Sequence, residues 1–441
     1  MNFISKNHTS MWNKNFHLFI SKWLFRSSVA ILFLLMSQHR AFAKNNHLLV
    51  TGYTEYLNNT WIPQGSIYST LGINNWQSQS GIYNRFNFQY SLLNNLKVNV
   101  SMRNNFIFGP TIATYNKLFE QAGFNYNKMA MADNGYLDLT MRYSDNPSYL
   151  FYTNFDRANL KLSLNKLEIT LGRQRINWSK NLVWNPNDIF NAYNYFEFNY
   201  VEKPGSDAAL VQWYTGNFSS VQLAAKLGYT ELPDSNGVLR REQKKTIAAM
   251  YHLTKWNYDF QAFGGVMEDD VTAGMGWAGS IAGAGFTGEV SWFRNQQQFA
   301  DTSNVWVASV DMNYTFKNNL FAQLSGIYNS AGATGPAYAQ YGSLSGSFSN
   351  LLMNNVNAKT LTRSRFDLFG ELSYPITPLI KVDVASIYNP YDKSVYVGPT
   401  ATFSLTENLA LSAVGQLFWG DSLTEFGDIG QMLFFDLKWS F

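Results

Sequence analysis

Two arginines two residues apart, Arg173 and Arg175 in the run 172–178 (GRQRINW), are the side chains of this 441-residue chain best suited to hold an anionic or polar solute. A guanidinium stays charged at every relevant pH and carries five donors in a fixed fork, so two on one strand face make a permanent positive site. Upstream, Leu167, Ile169 and Leu171 form the apolar set; beyond Gly172 the apolar set moves to Ile176 and Trp178. A one-residue phase slip at a glycine predicts a β-bulge that keeps both arginines on the inner face of a sheet. The competing reading is that the strand has already left its apolar surroundings, with both arginines in water.

The connection that follows, 179–205, contains Asp188 and is unusually aromatic, with Trp184, Phe190, Tyr193, Tyr195, Phe196, Phe198 and Tyr200. A long connection built from aromatics packs on something. It either folds inward and narrows a lumen or caps its neighbouring loops, and the sequence leaves both open. Catalysis has little to work with: between 44 and 441 the histidines are His47 and His252, each at the end of an expected strand, and the chain has no cysteine. No catalytic residue, metal site or cofactor is expected.

The elements that must position these residues are strands. From Leu433 on, Leu433, Phe435, Leu437, Trp439 and Phe441 alternate with Phe434, Asp436, Lys438 and Ser440, giving one face for lipid and one for water. A chain that ends on such a strand resembles outer-membrane β-barrels, whose terminal strand ending in Phe is read by the barrel-assembly machinery; Trp439 and Phe441 are the residues assigned that role. The strand departs from the common signal at Phe434, where a glycine often stands. The clearest hairpin is 85–103, in which Phe86, Phe88, Tyr90 and Leu92 face one way on one arm and Leu96, Val98, Val100 and Met102 on the other. Each arm is about 10 residues long, the span a tilted strand needs to cross a bilayer.

Tight turns recur at 94–95, 165–166, 216–217, 255–257, 317–319, 375–378 and 407–408, and longer polar connections separate them at 57–80, 109–134, 179–205, 230–244, 295–303, 330–361 and 420–429. Short turns at one end and long loops at the other are the pattern of a barrel whose ends face different compartments. Alternating runs predict an all-β, transmembrane, antiparallel up-and-down β-barrel of about 18 strands, within a range of 16 to 20 because 135–155 could add a hairpin. A barrel of that width holds an aqueous lumen. By alternation Arg85, Arg103, Arg363 and Arg365 face it, as do Lys97, Arg142, Lys381, Asp138, Glu168, Glu289, Asp311, Asp367 and Asp383. Gly274, Gly276 and Ala278 leave room for a folded loop if they face inward, and ease strand curvature if they face outward.

Composition agrees. Aromatics are 17% and charged residues only 14% of the chain, against about 25% charged in ordinary soluble domains. Mean hydropathy is nonetheless -0.21, and beyond the N-terminal region no apolar run approaches the length of a membrane-crossing helix. Residues 1–43 read as a signal peptide: Lys6, Lys14, Lys22 and Arg26 without an acid, the apolar core 29–36, and Ala41-Phe42-Ala43 as the cleavage site. The formal charge of +3 comes from this leader, which leaves residues 44–441, the barrel domain, near neutral and without a basic block for nucleic acid.

The runs GRQRINW, NPNDIF and EKPGSDA within 172–208 resemble a porin-like outer-membrane family, largely uncharacterised, with a fainter similarity to alginate-export-type barrels. The resemblance implies a transport barrel in the cell outer membrane and brings neither a substrate nor site residues. The expected function is a porin-like channel for passive diffusion of small polar solutes, not an enzyme, with Arg173, Arg175, Asp188, Arg85, Arg103, Arg363 and Arg365 lining the pore or its constriction. The alternatives are a channel selective for a saccharide or hydrophobic compound, and a non-transporting surface adhesin or structural barrel. Expected partners are outer-membrane lipids, lipopolysaccharide, the assembly machinery and a small solute, with a homo-oligomer left open.

Overall fold

The computed structural model describes residues 47–65, 68, 72–73, 75–121, 125–192, 194–233, 239–296, 304–339 and 356–441. The expected leader, Tyr193 and parts of the 57–80, 230–244, 295–303 and 330–361 connections lie outside them. The chain divides into two units, 1–50 and 51–441. Of the first, the described residues are 47–50, which include the start of the first strand. The second is a closed, antiparallel barrel with 18 strand positions.

Nineteen strand segments build it: β1 (Leu48–Ile62), β2 (Gln77–Leu93), β3 (Leu96–Phe108), β4 (Thr140–Asn146), β5 (Tyr149–Leu164), β6 (Leu167–Gln174), β7 (Ser206–Gly216), β8 (Ser219–Pro233), β9 (Leu239–Lys255) and β10 (Tyr258–Met267), followed by β11 (Asp270–Ile281), β12 (Ala284–Asn295), β13 (Val305–Thr315), β14 (Phe321–Asn329), β15 (Phe366–Thr377), β16 (Ile380–Tyr388), β17 (Val395–Ser404), β18 (Leu409–Trp419) and β19 (Gln431–Ser440). Neighbours in sequence pair antiparallel except that β3 pairs β5 rather than β4, and β19 returns to β1 with Tyr53 opposite Ser440 and Ile62 opposite Gln431. Closure removes both sheet edges, which lipid could not hydrogen-bond. The final residue takes part: Phe441 and Gly52 exchange both backbone hydrogen bonds at 2.9 Å.

Eighteen positions arise from nineteen segments because one position is shared. β5 pairs along its first half with β4 and along its second half with β6. β6 and β7 are short at the long-loop end, and the notch they leave is filled by the stretch 133–146, in which Gly135 bridges Gly228 of β8 and β4 pairs β5. The hairpin expected in 135–155 therefore exists but adds half a strand position. Two further expectations need correction. The 109–134 connection contains two helices, α1 (Pro110–Gln121) and α2 (Tyr126–Ala130). The strand after the 165–166 turn ends at Gln174, and Gly172, although at φ +107, keeps unbroken register with both neighbours. The bulge lies one strand over, in β5, where the register with β3 skips Asp156 and so turns both Asp156 and Arg157 inward.

Alternation decides which face meets lipid. Outward positions carry large exposed apolar side chains, such as Leu223, Met275, Val310, Leu324, Leu372 and Phe435. Aromatics mark both ends of this belt: Trp213, Phe260, Tyr314 and Tyr374 toward the short turns, and Trp306, Tyr328, Tyr388 and Trp419 toward the long loops. Among the described residues no helix is long and apolar enough to cross a membrane; the strands do it.

Candidate channel constriction

The aromatic connection folds inward. After Gln174 the chain leaves the wall and makes a circuit of the inner face, tied to it strand by strand before rejoining the wall at Ser206. Trp178 comes first, donating to Gln222 Oε1 of β8 at 2.8 Å while its carbonyl accepts from Gln261 Nε2 of β10. Glu289 of β12 then gathers the chain: its carboxylate accepts the backbone N–H groups of Lys180, Asn181 and Asn187, the last two at 2.9 Å. On β13, Ser309 donates to the Trp184 carbonyl and Asp311 accepts from Leu182 N.

The aromatics carry the circuit on. Trp184 and Tyr195 both meet Phe369 of β15 edge-on, Phe196 lies between Tyr396 of β17 and Phe418 of β18, and Phe198 reaches Phe434 of β19. Rings on a backbone segment that would otherwise lose its water are its means of gaining apolar burial. Polar ties finish it: Arg103 of β3 donates to the Asn199 carbonyl, Tyr200 donates to Asp156 at 2.5 Å, and Arg157 donates to the carbonyls of Glu202 and Lys203.

The inner wall is shaped for the loop. Gly276 of β11 faces inward, and a Cβ there would stand 2.8 Å from Asn187 Nδ2, so at this residue the strand makes room for the loop. Phe434 of the closing strand is the ring on which Phe198 rests.

The arginines divide by role. Arg85 holds Asp156 bidentately at 2.5 and 3.0 Å, with Glu202 at 3.7 Å. Arg103 lies between the rings of Tyr83 and Tyr200, 4.2 and 4.6 Å from their centroids, with Glu55 at 3.8 Å. Both point inward and brace the end of the loop. Arg173 sits at the foot of the notch: it pairs with Asp133 and Asp207 at 2.7 Å each and donates to the Phe155 and Leu137 carbonyls. By register it shares a face with Ala158, Asp207 and the lipid-facing Leu171. Its guanidinium thus joins β5, β6, β7 and the 133–139 stretch. Arg175, at the head of the loop, is half-buried.

Asp188 is fully buried in the loop, accepting from Asn191 N. Burial pushes its carboxyl up to about 6, against the pull of the Arg175 and Lys226 charges. Arg363 and Arg365 lie on the segment before β15 that pairs with Ala333; Arg363 N donates to Glu425, and Arg365 Nε to the Gly332 carbonyl. Sequence reasoning missed Glu289, whose role as a backbone anchor shows only once the loop is placed, although its inward parity was legible. It gave no role to the 420–429 connection, where the Ile429 and Asp428 carbonyls accept from Trp61 and Tyr68. Trp439 faces outward opposite Thr54, its ring 5.1 Å from that of Phe441. His252 lies 3.6 Å from Asp259 beside the 256–257 turn. Among the described residues no group of three or more His, Cys, Asp or Glu side chains is placed to hold a metal ion.

No family model matches the sequence, and no curated protein matches it. Solved structures do match the fold. The outer membrane protein OprD from Pseudomonas aeruginosa superposes with a TM-score of 0.55 at 9% identity, over 91% of this chain and 95% of that one. OccAB1 from Acinetobacter baumannii gives 0.54 at 10% identity, over 91% and 99%. OccK5 (OpdH) from Pseudomonas aeruginosa gives 0.52 at 9%, over 89% and 97%. At these identities the likeness is one of fold.

Proposed function

We propose that this protein is an outer-membrane channel through which small polar solutes diffuse, with the 175–205 loop as its constriction. The observation that carries the reading is the loop's circuit of the inner wall: a structural anchor or adhesin needs no backbone strapped across its interior, whereas a channel needs its bore narrowed and held. The lipid-facing belt and the likeness to OprD, an outer membrane protein, support the placement. On this reading 1–43 is the export leader, lipid and lipopolysaccharide surround the barrel, and Trp439 and Phe441 serve its insertion by the assembly machinery. Arg175 and Asp188, both on the loop, set the charge of the constriction, with Arg85 and Arg103 fixing the loop's far end. Arg173 acts indirectly, through the wall it holds.

Folded protein in planar bilayers is expected to give stepwise conductance, and Arg175→Ala to move the reversal potential in a salt gradient toward cation preference. Folded protein that leaves the bilayer silent overturns the reading. A second reading, selectivity for one solute class, is favoured by a cavity of about 340 Å³ beside the loop, lined among others by Asn134, Asn191, Lys226, Glu268 and Asn357. Its volume is that of a small-ligand site. A solute that occupies it should block conductance saturably.

A further inference from the structure

The outward face is not uniform around the barrel. On β10 to β18 the positions between the aromatic girdles are apolar, with Ser386 the exception among the described residues. On β1 to β5 polar side chains interrupt them. Asn84 donates to Thr54 Oγ1 at 2.8 Å, Asn104 donates to Asn84 Oδ1 at 3.2 Å, Thr153 donates to Asn104 Oδ1 at 2.5 Å, and Tyr143 of β4 donates to Thr153. This is a hydrogen-bonded chain across five neighbouring strand segments. Beside it, Asn58 donates to Ser80 and Ser78 at 3.0 and 3.3 Å.

Register fixes both the side and the height of these residues. Arg85 and Arg103 face the lumen, so Asn84 and Asn104, adjacent to them and directly opposite one another, face out. Asn58 lies opposite Phe435 and Thr60 opposite Leu433, whose side chains belong to the lipid belt. Polar side chains therefore stand at the depth of acyl chains, which supply neither donors nor acceptors. Such side chains bind protein surfaces together in membranes.

We propose that the outward face of β1 to β5 is an interface on which a second copy of this chain sits. The named residues carry no formal charge, so the face does not repel its own image, and each Asn amide brings donors and acceptors together, so it complements itself. Four full strands and the half-height β4, about 4.8 Å apart over a belt about 25 Å tall, offer about 540 Å² per copy, or about 1,080 Å² for the pair, above the roughly 1,000 Å² that a specific interface should clear. A single helix, about 10 Å across, would cover less than half of it. The inference needs only that the barrel spans a bilayer and stands apart from whether it conducts.

The full-length protein in mild detergent is expected to show a native mass that is a whole multiple of the chain, and Asn84→Leu/Asn104→Leu to reduce it to one chain while the protein keeps the heat-modifiable gel mobility of a folded barrel. The chain has no cysteine, so Asn58→Cys in membranes should be joined to a second copy by a thiol cross-linker, and Val310→Cys on β13 should not. Should the double variant fail to fold, the cross-link decides alone. A single-chain mass at all concentrations, equal cross-linking at both positions, or an adduct whose mass is not that of two chains overturns the proposal.

Discussion

Phe198 of the loop stands edge-on to Phe434 of the closing strand, ring centroids 4.9 Å apart and planes at 82°. The contact ties the strand that closes the wall against β1 to the segment that narrows the lumen. Phe434→Gly should remove it at a cost of about 3–5 kcal/mol, the range for emptying a buried Phe site, of which the ring pair itself supplies about 0.5–1.5 kcal/mol. A lower melting temperature together with larger and noisier unitary conductance is the expected result, with Phe434→Leu falling between. A lower melting temperature with unchanged conductance would mean that the loop holds its place without this ring.

Glu289 tests the anchoring differently, because it holds backbone rather than side chains. Three loop N–H groups converge on one carboxylate. Glu289→Ala leaves the Asn181 and Asn187 groups buried without that partner, at about 1–3 kcal/mol for each unsatisfied group, and should release 180–187. Glu289→Gln replaces one acceptor oxygen by a donor and should loosen the loop less. Proteolysis within 180–187 in folded protein, graded wild type, Gln, Ala, is the readout; equal protection in all three would contradict the anchor.

Arg173 and Arg175 are neighbours in sequence with different expected phenotypes. Breaking a buried ion pair by removing one partner costs about 3–5 kcal/mol, and Arg173 serves two, with Asp133 and Asp207, whose carboxyl is in turn met by Leu137 N at 2.8 Å. Arg173→Ala should therefore lower the melting temperature and expose 133–139 to protease, with ion selectivity little changed. Arg175→Ala should do the reverse. Matching phenotypes for the two variants would refute the division of roles.

That division marks the limit of what the sequence holds. Strand positions were legible because a period of two is written wherever one face meets lipid, as in 85–103 and 433–441. Tight turns were legible because Asn165, Asn257 and Asn319 tolerate positive φ. The inward fold of the loop was half legible: its aromatics required a partner surface, and the inward Gly276 offered one, yet which rings meet depends on strands far along the chain, from Phe369 opposite Tyr195 to Phe434 opposite Phe198. Arg173 was misleading for a physical reason. Its parity changes meaning where the wall is notched, because the partners that bury it come from 133–139, a segment with no strand periodicity of its own. The bulge that turns Asp156 inward has no glycine to announce it.

Acid should tighten the constriction and make it more anion-selective. Asp188 has its carboxyl raised from the ordinary 3.8 to about 6 by burial. Below about pH 4 the group is protonated whether the chain is folded or not. Between there and pH 6 the folded chain holds a proton that the unfolded chain has released, and folding gains; as the pH rises through 6 this contribution is lost. Two pKa units correspond to on the order of 3 kcal/mol. The neutral carboxyl also leaves the Arg175 and Lys226 charges uncompensated at the loop. Lowering the pH from 7.5 to 5 should thus quiet loop fluctuations in single-channel records and move the reversal potential toward anions. Asp188→Asn should show the acidic behaviour at both pH values. The His252–Asp259 pair is present in both proteins, so it cancels in the comparison. A pH dependence that survives unchanged in Asp188→Asn would place the titrating group elsewhere.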